Sequence, residues 1–114
     1  MAKRDRPPAL NALLGRGAVY SGDMTFEGRV RLDGRFEGRI YTDDVLEIGE
    51  LGRLEGEVDA ARVVVAGFVK GRVRARERLI VETTGRVEGE VIAQEIEALP
   101  GSSFDAQLRI GGES

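Results

Sequence analysis

Apolar and charged residues alternate without a fault through FEGRVRLDGRFEGRI, residues 26–40. Phe26, Val30, Leu32, Phe36 and Ile40 take even positions, joined there by Gly28, Gly34 and Gly38, while every odd position is charged. A period of two predicts β-strand with one face turned to a core. A stretch of 15 residues exceeds the ordinary strand of about 3–10, and three of its inward positions are glycine. The pattern therefore predicts several short strands, bent at or near the glycines, that keep one inward register through the bends.

A unit of the form apolar-x-Gly-x-apolar recurs as FEGRV (26–30), FEGRI (36–40), LEGEV (54–58), VKGRV (69–73) and VEGEV (87–91), with a degenerate copy FDAQL (104–108) that carries Ala106 in place of glycine. Short apolar triplets lie between the copies: LEI (46–48), VVV (63–65), LIV (79–81), IEA (96–98) and LRI (108–110). The inward register holds even positions up to residue 60. It moves to odd positions from Val63 to Val91 and returns to even positions from Ile96. Such flips are expected at corners of variable length. No 3.6-residue periodicity follows residue 18, and there is no Asn-Gly hairpin signal. Repeats of 15–18 residues without a helix predict an all-β solenoid, a three-sided parallel β-helix. Gly28, Gly38, Gly56, Gly71 and Gly89 are expected to stack in one column. Outside, the expected columns are Glu55–Lys70–Glu88 and Glu57–Arg72–Glu90, both alternating in sign.

Composition narrows the chemistry. The 114 residues include no cysteine, histidine or tryptophan, and the net charge is −3 with both signs interspersed. Disulfides, thiolate chemistry and the usual general base are therefore lacking. The charge balance argues against nucleic acid as a partner, because phosphate binding needs concentrated positive charge. RVRARER (72–78) is basic but has no interleaved aromatics and has acidic neighbours. Glu88 and Glu90 share an outward strand face rather than a cleft, and Asp43-Asp44 reads as a turn. The glycines of GRG (15–17) and GELG (49–52) lack the strand–loop–helix setting of a phosphate site. No catalytic, metal or cofactor residue is assigned, and no nucleotide is expected. No apolar run approaches the roughly 20 residues that cross a bilayer, so the expected location is the cytoplasm, with the inner membrane face or a cell pole as refinements.

GRGAVYSGDMTFEGRVRLDGRFEGRI (15–40), VLEIGELGRLEGEV (45–58), VVVAGFVKGRV (63–73) and RVEGEVIAQEIEALPGSSFDA (86–106) together resemble the bactofilin family. The resemblance implies a right-handed, three-sided parallel β-helix of about six windings. It also implies nucleotide-independent assembly into non-polar cytoskeletal filaments, joined end to end through apolar terminal windings. Such filaments serve as scaffolds for cell-shape, polar-organisation or chromosome-segregation partners.

The expected layout is an N-terminal tail (1–18), the β-helical domain (19–110) and a short C-terminal tail (111–114). An open solenoid leaves unpaired backbone groups and an apolar cross-section at each end. Phe104, Leu108 and Ile110 are the candidates for contact at the C-terminal end, and Phe26, Val30 and Leu32 for the opposite end. Lys3, Arg4 and Arg6, followed by Leu10, Leu13 and Leu14, make a basic and then apolar start. Three readings fit it: a leader folded over the first winding, an anchor for an anionic membrane surface, or a docking site for a partner protein. Liposome co-sedimentation with and without the tail separates them. The competing classes are an acyltransferase-like β-helix enzyme, which the missing histidine and irregular spacing disfavour, and a monomeric binding solenoid, which lacks the repeated Thr-x-Thr or Asp-rich turns it needs.

Overall fold

The structure, a computed structural model, describes residues 12–110. Its strands are β1 (Ala12–Leu14), β2 (Val19–Phe26), β3 (Val30–Leu32), β4 (Arg35–Thr42), β5 (Val45–Ile48), β6 (Arg53–Val65), β7 (Phe68–Val81), β8 (Arg86–Ala98) and β9 (Ser103–Ile110). Every pairing is parallel, and each strand pairs with the strand one winding further along the chain. The long strands turn corners without losing their pairing. β6 pairs with β4 through its first half and with β5 through its second. Among the described residues there is no helix. The result is a β-solenoid of six levels, marked by the column Tyr20, Phe36, Leu54, Val69, Val87, Phe104.

Three faces make each winding. The first precedes the repeat glycine and the second follows it. The third is built from the apolar triplets 30–32, 46–48, 63–65, 79–81 and 96–98, with β1 beneath them. The core is the sum of the inward columns: Val30, Leu32, Phe36, Leu46, Leu54, Val63, Val69, Leu79 and Val87 are all fully buried. The inward register flips at the corner between the second and third faces in β6, between Ala60 and Val63, and in β8, between Ala93 and Ile96, whereas β7 takes one more residue at that corner and stays on odd positions from Ala75 to Leu79. Corner length also varies between the third and first faces, where two residues join β3 to β4 and β6 to β7 but four join β5 to β6, β7 to β8 and β8 to β9, and the flat faces still stay in step.

The glycine column differs from the expected one in its first member. Gly22, not Gly28, stacks below Gly38, Gly56, Gly71 and Gly89. The first copy of the unit is therefore YSGDM (20–24), and FEGRV (26–30) straddles the next corner. There the Gly28 amide donates to Asp43 Oδ1 at 2.9 Å, and the Thr42 hydroxyl donates to the Gly28 carbonyl. Within the column the requirement for glycine is double. At Gly56 φ is +136°, and a methyl group would run into the Gly38 carbonyl. The strand bends inward until backbone touches backbone, which only a residue without Cβ permits.

β1 also departs from the expected layout. Ala12 and Leu14 pair with Val30 and Leu32, so the coil begins ahead of residue 19. Leu14 is buried and Leu13 faces outward, 57% exposed.

Candidate assembly interfaces

At both ends of the coil the inward columns lose their cover. At the C-terminal end, β9 pairs with β8 on one side and carries nothing on the other among the described residues. Phe104, Ile96 and Ala106 are half-buried against the core, and Leu108, in the same inward column as Val91, is 47% exposed. Ile110 ends β9 in register with Ala93, and its side chain lies outside the described residues. At the N-terminal end the half-buried core residues are Ala12, Tyr20, Met24 and Phe26. Interior members of the same columns, such as Phe36 and Val87, are fully buried. Among the described residues the apolar cross-section is therefore complete inside the coil and open at its two ends.

The sequence candidates separate on this geometry. Phe104 and Leu108 lie at the C-terminal opening, and Phe26 lies at the N-terminal one. Val30 and Leu32 do not reach it: both are fully buried one level in, above β1. Tyr20 and Met24 take their place. Little in the sequence marks them, because Ser21, Gly22 and Asp23 between them dilute the apolar signal of YSGDM. Of the N-terminal candidates, Lys3, Arg4, Arg6 and Leu10 lie outside the described residues. Leu14 belongs to the core, and Leu13 remains exposed.

The flanks of the coil are polar and ion-paired. Arg39–Glu57 (3.5 Å), Arg72–Glu90 (3.3 Å) and Arg78–Glu95 (2.8 Å) bridge neighbouring windings. Arg35–Glu37, Arg53–Glu55 and Arg86–Glu88 run along single strands. The column Glu57–Arg72–Glu90 is as expected and extends down through Arg39 to Asp23. The column Glu55–Lys70–Glu88 lines up too, but Glu37 lies under Glu55 and breaks the alternation. Lys70 bridges neither glutamate among the described residues, because Arg53 and Arg86 reach them first. Phe68 lies between those two arginines in register, with guanidinium carbons 4.6 and 5.9 Å from its ring centre. Arg31 and Arg78 are held above the usual arginine pKa by hydrogen bonds to Asp33 and Glu95. The surface hollows, such as the one lined by Arg31, Glu47, Glu50, Leu51 and Val64, are open grooves. Among the described residues, no three acidic side chains are grouped to hold a metal.

The family model of Bactofilin, described as polymer-forming cytoskeletal, matches residues 12–109. A crystal structure of a bactofilin from Thermus thermophilus, a phenylalanine-to-arginine mutant, is similar in fold at a TM-score of 0.73 and is 37% identical in sequence. The match covers 77% of this chain and 98% of that one. No curated protein sequence matches the chain closely enough to count as a relative.

Proposed function

We propose, from the premise that the chain belongs to the bactofilin family of polymer-forming cytoskeletal proteins, that it polymerises by stacking its open ends and needs no nucleotide to do so. One observation carries this reading: the inward columns that are fully buried inside the coil are half-buried or exposed at both ends, at Phe104 and Leu108 above and Tyr20, Met24 and Phe26 below. Stacking a second molecule covers that apolar surface and pairs the edge strands. Docking like ends makes each joint two-fold, and alternation of the two joints gives a filament without polarity. Its role is structural, a scaffold on which other proteins are placed, rather than catalytic.

Electron microscopy of the full chain in nucleotide-free buffer is expected to show filaments. Phe104→Arg puts a charge into the upper joint, and is expected to leave a folded, soluble, short species. Filaments of normal length from that variant would remove Phe104 from the joint.

A further inference from the structure

The outer side of the second face carries two columns whose order is complementary to its own reverse. From the N-terminal end upward, the first is Asp23, Arg39, Glu57, Arg72, Glu90, Gln107 and the second is Thr25, Tyr41, Asp59, Arg74, Ile92, Arg109. The geometry points to this face as a side-to-side contact with a second, antiparallel copy of the chain. The two-fold axis lies along the strands, midway between the levels of Glu57 and Arg72.

Rotation about that axis reverses the levels and leaves each column facing itself. Glu57 then meets the partner's Arg72, and Arg39 meets the partner's Glu90. In the second column Asp59 meets the partner's Arg74, and Tyr41, 38% exposed, meets the partner's Ile92. Asp23 and Thr25 meet the partner's Gln107 and the partner's Arg109. No like charges come together. Arg74 makes no ion pair within the chain among the described residues, since Asp59 is bonded to Arg76 at 2.8 Å. The contact supplies Arg74 with a carboxylate.

The alternatives fail on the same positions. Parallel docking of this face, about an axis along the coil, sets Glu57 against the partner's Asp59 and Arg72 against the partner's Arg74. The antiparallel operation on the first face sets Arg35 against the partner's Arg86 and Glu37 against the partner's Glu88. On the third face it sets Arg31 against the partner's Ile80 and Glu47 against the partner's Val64, which leaves charges facing apolar side chains. Like-charge juxtaposition of this kind is what interfaces use to exclude wrong partners.

Strand and rung spacings give this face only about 400 Å², half of the roughly 800 Å² per partner of a standard stable interface. Isolated copies pair weakly. Filaments repeat the contact many times, and avidity multiplies it. The inference thus rests on polymerisation, and its consequence is that filaments associate into pairs or sheets through a charged face.

Electron micrographs of the full chain test it. Paired filaments are expected at about 20 mM salt and single ones at about 500 mM, where screening is short-ranged. Glu57→Arg and Arg72→Glu should each lower the paired fraction at least about tenfold while single filaments persist. Pairing should return when filaments of the two variants are mixed, and in the double variant E57R/R72E. In that double variant Arg39 and Glu90 each gain a like-charged neighbour within the chain, and each single variant already has two like-charged neighbouring pairs in the column, so a purely internal role for the ladder predicts no recovery over the single changes. Mixed filaments that stay single overturn the contact, as does a folded double variant no better than the single ones. Wild-type filaments that never pair overturn this inference alone, and absence of any filament overturns the polymer reading with it.

Discussion

At Gly56 the backbone conformation and the closeness of the winding below act together. With φ at +136° and the Gly38 carbonyl where a Cβ would sit, the site penalises any side chain twice. Gly56→Ala is expected to cost about 3 kcal/mol or more, read as a fall in the urea midpoint. Gly22 separates the two causes. It has φ of +108°, but a methyl group there would meet nothing within 4 Å, so Gly22→Ala keeps only the conformational cost, about 1 kcal/mol. Equal losses at both sites would show that crowding contributes nothing. Ala106 holds the same register position without a positive φ, so the last winding turns this corner by another route. The requirement for glycine was legible in the repeat. The identity of the first copy was not, because FEGRV matches the unit better in sequence than YSGDM, and only the pairing of Gly22 with Gly38 decides between them.

Strands and corners were readable to different degrees. The alternation, the apolar triplets and the two register flips follow from side-chain polarity, which the pleat converts directly into in and out. β1 was hidden because ALL (12–14) follows a proline-containing basic segment and carries no glycine or charge alternation of its own. Which outer charges would bond each other was also out of reach, since long arginines choose between a neighbour on the same strand and one on the next. Phe68 shows what that choice produces. It spaces Arg53 from Arg86 and offers its ring to both. Phe68→Ala is expected to lower stability by about 1 kcal/mol from the lost ring contacts, and by more at low salt, where the two guanidinium groups repel over a longer range. Thermal melts at two ionic strengths check this, and a loss that grows with salt would contradict it.

At the scale of the whole molecule, the repeat starts at residues 20, 36, 54, 69, 87 and 104, an irregular spacing that still yields a regular stack. Irregularity is confined to the corners, so the faces can carry ordered columns while the linear sequence looks uneven. That is why the architecture could be read from polarity alone, whereas the two open ends could be placed only approximately. An end is defined by what is missing above or below it. Val30 and Leu32 look terminal in the sequence until β1 is seen to lie beneath them.

Pairing only between successive windings has a kinetic counterpart. Each winding leans on its two neighbours alone, so the coil opens like a zipper from its extremities. Amide hydrogen exchange is expected to be slowest in β6 and β7 and fastest in β1, β2 and β9. In a filament joined at both ends, the extremities become interior, and that gradient should flatten. A steep gradient that persisted in assembled material would mean that the ends remain free.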